Sequence, residues 1–239
     1  MNNEYLMNKK KGPSLNEAIE WKQAIWGPAV SSALDRASVL LPRGERILEV
    51  GYNSGMMSSY MACRYGWKVT GYDIKDELKA KAEQTAKRYQ LEGEVEFRVC
   101  SANKTLSIRG SYDAVFLKSV LYHIADLSDY REWLFWLRNV VRRGGVVIAV
   151  ENGKGGWLDK SYRKVLKKVR WADFQLFSEQ TEREFRNVFD KIDIQYFGRY
   201  SEFFVSYPKI CKAIQRIENK YLPAKAEHCF IASIVAQTT

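Results

Sequence analysis

One stretch of the sequence, residues 46–55, constrains the fold more than any other. It reads Arg-Ile-Leu-Glu-Val-Gly-Tyr-Asn-Ser-Gly, an apolar run that carries one acid and leads into a loop with two glycines. A short apolar run of this kind is typical of a buried central strand. The residues from Met56 to Tyr65 suit a helix, and Gly66 suits its end. We therefore expect a strand, a glycine loop and a helix whose free N–H groups face a ligand with acceptor or negative groups.

The glycine spacing separates two kinds of nucleotide-binding loop. A nicotinamide-type loop places glycines at positions 51, 53 and 56, where this chain has Asn53 and Met56. The alternative has an acid two residues before the first glycine and glycines at 51, 53 and 55. Glu49, Gly51 and Gly55 match that pattern, which resembles the first motif of the class I S-adenosylmethionine (SAM) dependent methyltransferases. Asn53 departs from it, but asparagine can adopt the left-handed conformation of the missing glycine.

An acid follows the next predicted strand at a suitable distance. Residues 67–72 read as a second strand that closes on Asp73. The separation from Gly51 is close to the roughly 20 residues at which doubly wound folds present an acid to ribose hydroxyls. The acid alone does not distinguish SAM from a nicotinamide cofactor. The resemblance implies that Tyr52 and Ile74 also belong to the cofactor site. A strand, turn and helix without any ligand stays open as an alternative.

The third predicted strand, Val95 to Val99, runs into the sequence Cys100-Ser101-Ala102. In the family that this chain resembles, the corner carries an acid followed by a small residue, which contact the adenine. Ser101 replaces the acid, so its hydroxyl can accept a hydrogen bond only without charge. The resemblance implies that Ser101 and the backbone around Ala102 contact the cofactor.

The fourth predicted strand, Tyr112 to Lys118, continues into Ser-Val-Leu-Tyr-His at 119–123. This ending resembles the fourth motif of the small-molecule, UbiE-like methyltransferases. The resemblance implies that Lys118 and Ser119 line the cofactor pocket. It makes His123 the candidate catalytic base, since an imidazole can take a proton from a hydroxyl or amine at neutral pH. A structural role for His123 in hydrogen bonding or packing stays open.

The resemblance covers roughly residues 45–151 in consecutive order, and it implies the fold. We expect one α/β domain over residues 1–239, a doubly wound Rossmann-like fold with helices on both faces. Its sheet should have seven strands in the order 3-2-1-4-5-7-6, with only the seventh antiparallel. The fifth strand is expected at 146–150, the sixth at 192–197 and the seventh at 228–235.

Three segments lie outside this core. Residues 1–44 are expected to form cap helices over the cofactor pocket, with one helix broken at Gly27-Pro28 and a second from 32 to 40. The connections 152–178 and 198–224 leave parallel strands at their carboxyl ends. Both should therefore overhang the ligand crevice.

The two connections differ in chemistry. The formal net charge is +10, and seven Lys or Arg against two Asp lie between Lys154 and Asp173. The charges at 160–168 recur at helical spacing, which indicates either a solvated face or an anionic substrate. The second connection is aromatic at 200–207 and is followed by a predicted helix from Pro208 to Tyr221. Aromatic faces suit sugar rings, and a small extra core is the alternative.

Composition excludes several classes. Hydrophobic residues make up 46% of the chain and aromatic residues 13%, which excludes disorder as the dominant state. No apolar run approaches membrane-spanning length, and residues 1–13 lack the apolar core of a signal peptide. The four cysteines show no zinc-site spacing, so we expect no metal, reduced thiols and a cytoplasmic protein.

The resemblance implies a SAM-dependent methyltransferase that moves a methyl group to oxygen or nitrogen of a small molecule. An anionic or sugar-like acceptor is expected, such as a saccharide, a nucleotide-linked sugar or a natural-product intermediate. The charge motivates an RNA methyltransferase instead. Base amino-group methylation generally uses an Asn or Asp followed by Pro-Pro and an aromatic residue at the fourth strand, and residues 119–122 lack that pattern. The departures at Asn53 and Ser101 motivate a third alternative, a non-catalytic binding protein with the same fold.

Overall fold

A single mixed sheet organises the chain. The computed structural model describes residues 12–100, 105–110, 112–124, 126–155, 176–222 and 225–238. Apolar runs at the predicted places form its strands. Six of the strands bury side chains, whereas the strand at 191–197 has half-buried and exposed ones. The strands are β1 (Arg46–Val50), β2 (Lys68–Asp73), β3 (Val95–Val99), β4 (Tyr112–Lys118), β5 (Val141–Asn152), β6 (Lys191–Phe197) and β7 (Ile231–Gln237).

The strand order confirms the predicted topology. The seven-stranded sheet has the order β3-β2-β1-β4-β5-β7-β6. β1 pairs in parallel with β2 and β4, and only β7 runs antiparallel to its neighbours β5 and β6. The carboxyl ends of the parallel strands therefore meet at one edge, which we call the carboxyl edge. In open α/β sheets this is the edge where ligands bind.

Helices cover both faces of the sheet. Residues alternate between the two cores, so Ile47 packs in the first and Leu48 in the second. The helices α1 to α4 pack on the first core and α5 and α6 on the second. None of the described helices is long and apolar enough to span a bilayer. The helices are α1 (Leu15–Ile19), α2 (Gln23–Leu40), α3 (Met56–Tyr65), α4 (Glu77–Arg88), α5 (Leu127–Val140), α6 (Glu179–Val188) and α7 (Pro208–Tyr221).

The predicted helix break at Gly27-Pro28 is wrong. α2 runs through Pro28, and the break lies earlier, where Glu20 and Lys22 adopt φ angles of 62° and 45°. Proline at position 28 cannot donate to the carbonyl of Ala24. That carbonyl instead accepts a hydrogen bond from Nε2 of Gln215 in α7, at 3.0 Å. A contact from a distant helix thus satisfies the group that the proline leaves without its helical partner.

Two strand starts also differ from the predictions. β5 begins at Val141 rather than 146, because Val141 already pairs with Tyr112 of β4. Gly144 lies within this strand with a φ of 73°, and its N–H donates to the Thr238 carbonyl at 2.9 Å. β7 begins at Ile231 rather than 228, since residues 226–228 form a 3-10 turn.

The two connections are described unequally. The connection 198–224 contains a 3-10 turn at Ser201–Phe204 and α7, whose bounds are those predicted. Most of the other, residues 156–175, lies outside the described part of the chain, and with it lies the basic run at 160–168.

The proline in α2 leads to a testable coupling. We expect Gln215→Ala to lower the free energy of unfolding by about 1 kcal/mol, since the carbonyl of Ala24 loses its donor. In a Pro28→Ala background the new N–H supplies that donor within the helix, so the same change should cost markedly less. Urea unfolding of the four proteins measures the difference. The exposed Gln84→Ala in α4 is the control, and an equal cost of Gln215→Ala in both backgrounds would refute the explanation.

Candidate functional site

The glycine loop after β1 is built from left-handed residues. Gly51, Asn53 and Gly55 have φ angles of 80°, 49° and 73°, which confirms the left-handed conformation predicted for Asn53. A Cβ at Gly55 would come within 2.7 Å of the Phe97 ring and 3.0 Å of the Ala82 backbone. This close approach requires glycine at position 55, and α3 begins at the next residue, at the carboxyl edge.

Asp73 ties this loop to the end of β2. One carboxylate oxygen accepts a hydrogen bond from the backbone N–H of Asn53 at 3.0 Å, and the other accepts from that of Lys75 at 3.1 Å. Each oxygen keeps a further lone pair that can accept from a ligand hydroxyl. The adjacent Ile74 is 60% exposed. The end of β2 thus offers a charged acceptor beside an exposed apolar side chain.

Glu49 in β1 is a buried acid, 3% exposed. Its carboxylate accepts a hydrogen bond from the hydroxyl of Ser58 in α3. Burial raises the pKa of Glu49 to about 7, although Ser58 and the nearby ammonium of Lys118 oppose this shift. A cationic ligand group close to this carboxylate would favour its ionised form.

Lys118 is the last residue of β4, and its side chain lies near residues of α1 and α2. Its Nζ lies 3.5 Å from the carbonyl oxygen of Ile19 and 5.6 Å from the ring centroid of Trp26. Burial lowers the pKa of Lys118, and the carboxylates of Glu20, Glu49 and Glu151 oppose that change. The sequence-predicted Lys118 and Glu49 therefore lie in one charged group at the carboxyl edge.

The N-terminal helices contact the glycine loop directly. Oε2 of Glu20, at the end of α1, accepts a hydrogen bond from Nδ2 of Asn53 at 3.1 Å. No spacing in the sequence pointed to Glu20, because the contact joins residues 33 positions apart. The contact is compatible with the predicted cap over the pocket, which stays a prediction.

A second buried acid organises the turn after β4. Oε1 of Glu151, at the end of β5, accepts hydrogen bonds from the N–H groups of Val120 and Leu121 at 3.0 and 3.1 Å, and Oε2 accepts from Tyr122 at 3.4 Å. Burial raises the pKa of Glu151 to about 7, and these three N–H groups oppose the shift. Glu151 was not among the predicted site residues. An acid directly after the apolar run 146–150, at the carboxyl end of a parallel strand, was a usable signal.

Ser119 begins that turn in a strained conformation. Its φ is 56°, unusual for a residue with a Cβ, and its Oγ accepts a hydrogen bond from Nδ2 of Asn152 at 2.9 Å. Strain of this kind is often found at functional sites, and here neighbouring hydrogen bonds hold it in place.

His123 closes the same turn with a partly exposed side chain. Its ring packs against that of Tyr122, with centroids 3.9 Å apart. Partial burial lowers the pKa of His123, and the positive charge of Lys75 lowers it further. The imidazole is therefore neutral at pH 7 and able to accept a proton.

The remaining predicted residues are placed differently. The side chain of Tyr52 is 2% exposed and packs on Phe97, with ring centroids 4.9 Å apart, so only its backbone can face a ligand. Ser101 and Ala102 lie outside the described residues. Within the described ranges, no cluster of His, Cys, Asp and Glu is placed to hold a metal ion. The carboxyl edge brings together the predicted residues Glu49, Gly51, Asn53, Gly55, Asp73, Ile74, Lys118, Ser119 and His123.

Burial of Glu49 predicts a pH effect on stability. An ordinary Glu has a pKa near 4.5, whereas that of Glu49 is about 7 in the folded protein. The folded state binds this proton more tightly, so the favourable contribution is complete below pH 4.5 and is lost as the pH rises through 7. Glu49→Gln cannot ionise and keeps an acceptor for Ser58. We expect its stability relative to wild type to rise by about 2 to 3 kcal/mol between pH 5 and pH 8.

Urea unfolding at both pH values measures this difference. Comparing the two proteins cancels the similar contribution of Glu151. The exposed Glu92→Gln is the matched control and should follow wild type. If Glu49→Gln also follows wild type at both pH values, the raised pKa is wrong.

Comparison with known proteins adds independent information. Residues 48–149 match the model of a methyltransferase domain family. A ubiquinone biosynthesis O-methyltransferase from Xanthomonas axonopodis pv. citri (strain 306) is 37% identical over 90 residues, which are 36% of this chain and 36% of that protein. The matched region thus spans about a third of that relative.

Solved structures extend the similarity to nearly the whole chain. Phosphoethanolamine N-methyltransferase 2 from Haemonchus contortus, in complex with SAM, gives a TM-score of 0.60 at 16% identity, covering 96% of this chain and 61% of that one. The [4+2]-cyclase SpnF gives 0.55 at 16% identity, covering 95% and 97%. Identities this low compare folds and leave the reaction open.

The segment that matches the family model contains the glycine loop, Asp73 and the turn at 119–123. The structural neighbours share the sheet that positions these elements. The resemblance stated from the sequence agrees with this comparison, since residues 48–149 match a methyltransferase domain family.

Proposed function

We propose that this protein transfers a methyl group from SAM to oxygen or nitrogen of a small molecule. The observation that carries the proposal is the hydrogen bond between Asp73 and the backbone of Asn53. It joins the glycine loop to an acid that keeps free acceptor sites, inside the segment that matches a methyltransferase domain.

The residues at the carboxyl edge fit this cofactor chemically. Asp73 would accept from the ribose hydroxyls, with Ile74 beside the adenine. The backbone of residues 51–55 and the start of α3 would bind acceptor groups. The buried carboxylate of Glu49 suits a ligand with cationic groups, because a nearby positive charge favours its ionisation. When bound, SAM supplies a methyl group on a positively charged sulfur, already activated for transfer.

Further contacts are assigned to the turn after β4 and to the third strand. Lys118 and Ser119 would line the pocket, and the hydrogen bonds of Glu151 would hold this turn in place. Ser101, Ala102 and the backbone of Tyr52 complete the proposed cofactor set.

The protein mainly needs to align the acceptor and to exclude water. His123 would take the proton that the acceptor releases on methylation. The name of the Xanthomonas relative favours oxygen as the methylated atom. An anionic or sugar-like small molecule stays the proposed acceptor class.

Binding of SAM tests the cofactor assignment. Asp73→Asn removes the charge while keeping one acceptor oxygen, so it should weaken SAM binding at least tenfold, since charged hydrogen bonds contribute about 1.5 to 3 kcal/mol. Isothermal calorimetry measures the affinity. Asp76→Asn is the matched control, because Asp76 is exposed and its side chain does not cap α4. Unchanged SAM affinity in Asp73→Asn would remove the assignment.

Methyl transfer tests the role of His123. Transfer of labelled methyl groups from SAM to a panel of phenols, sugars and amines identifies an acceptor. We then expect His123→Ala to lower turnover at least tenfold without changing SAM affinity. Wild-type turnover should rise with pH through an apparent pKa below 6.5 as the imidazole loses its proton. Undiminished turnover in the variant would return His123 to a structural role, and SAM binding without transfer would favour the non-catalytic alternative.

A further inference from the structure

Exposed apolar side chains are concentrated in one segment between β6 and β7. Twelve large hydrophobic side chains are exposed among the residues that the structure describes, and six of them lie between residues 203 and 221. Such clustering on a surface marks an interaction site, whereas scattered exposed apolar residues need no explanation. The six are Phe203 (37% exposed), Phe204 (36%), Tyr207 (63%), Ile210 (48%), Ile217 (57%) and Tyr221 (66%).

The helix α7 in this segment has three distinct faces. Cys211 and Glu218 point into the protein and are buried. A second face carries Ile210, Ile217 and Tyr221, spaced seven and four residues apart so that they form one exposed stripe. The third face is basic. It consists of Lys209, Lys212, Arg216 and Lys220, all exposed.

The basic face carries positive charge that no acid among the described residues pairs with. None of its four side chains forms an ion pair with another described residue. The one acid of α7, Glu218, faces inward, and its Oε1 accepts from the backbone N–H groups of Arg199 and Ser201 at 3.1 and 3.0 Å. The exposed part of the helix therefore presents an apolar stripe beside a row of positive charges.

We propose that α7 and the turn at Ser201–Phe204 form a docking surface for the headgroup region of an anionic lipid bilayer. Aliphatic side chains would enter the acyl boundary, Tyr and Phe would lie at the interface, and Lys and Arg would contact lipid phosphates. The surface lies next to the carboxyl edge, because β6 ends there and leads into this segment.

Charge and chemistry favour this partner over two others. In a symmetric contact between two copies, the four positive charges of one α7 would face those of the other. Single-stranded RNA binds by stacking bases on aromatic rings, whereas Ile210 and Ile217 at the centre of the stripe cannot stack.

Co-sedimentation of the full chain with lipid vesicles tests the proposal. We expect binding to phosphatidylglycerol–phosphatidylcholine vesicles, weaker at high salt, and little binding to phosphatidylcholine alone. The triple variant Ile210→Ser, Ile217→Ser and Tyr221→Ser should reduce partitioning into the anionic vesicles at least tenfold. Val39→Ser with Leu40→Ser, which removes exposed apolar side chains from α2, is the matched control and should bind as wild type does.

Charge reversal tests the basic face separately. Each lysine near an anionic surface contributes about 1 kcal/mol, or roughly a fivefold change in partitioning, so Lys212→Glu with Lys220→Glu should lower binding by more than twentyfold. Lys81→Glu with Lys87→Glu on α4 is the control. The proposal is overturned if the wild-type protein does not bind anionic vesicles or if the triple variant binds them as wild type does. It is also overturned if sedimentation shows a dimer that the triple variant does not form. Binding is measured without SAM, so the outcome is independent of the proposed methyl transfer.

Discussion

The carboxylate of Asp73 is the interaction on which the arrangement of the site depends. It accepts N–H groups from both sides of the crevice, from the glycine loop at Asn53 and from its own strand end at Lys75. The glycine loop has three residues in left-handed conformations, and this shape brings the start of α3 to the carboxyl edge. Without this acceptor, the N–H of Asn53 would lose its partner and the loop its connection to β2. One acid thus organises the backbone and still offers acceptor sites.

Two buried acids give the same edge its electrostatic character. Glu49 and Glu151 both have a pKa raised to about 7 by burial, since a carboxylate loses hydration in the core. Three N–H groups donate hydrogen bonds to Glu151 and replace part of its lost hydration, whereas Glu49 accepts one hydrogen bond, from the hydroxyl of Ser58. Lys118 lies between them with its pKa lowered. Burial of these acids costs folding free energy. A bound ligand that carries positive charge would favour their ionised forms.

Local patterns predicted most of the fold. Apolar runs predicted β1, β3 and β4, and the bounds predicted for α3 and α7 are those of the structure. The glycine loop and Asp73 were predictable because each function requires a residue type at a set distance along the chain.

The misses have a common physical cause, which is contact between distant parts of the chain. Pro28 lies inside a helix because Gln215 supplies a donor from α7. Glu20 accepts a hydrogen bond from Asn53 because α1 packs against the core. No spacing of residues in the sequence predicts this contact. Glu151 reaches the turn after β4 only because β4 and β5 are neighbours in the sheet.

A crystal structure of the protein with S-adenosylhomocysteine tests directly whether Asp73 holds the cofactor. We expect the ligand at the carboxyl edge, with its ribose hydroxyls on the carboxylate of Asp73 and with His123 on the open side near its sulfur. A ligand bound elsewhere, with Asp73 retaining only its two backbone donors, would show that Asp73 does not hold the cofactor.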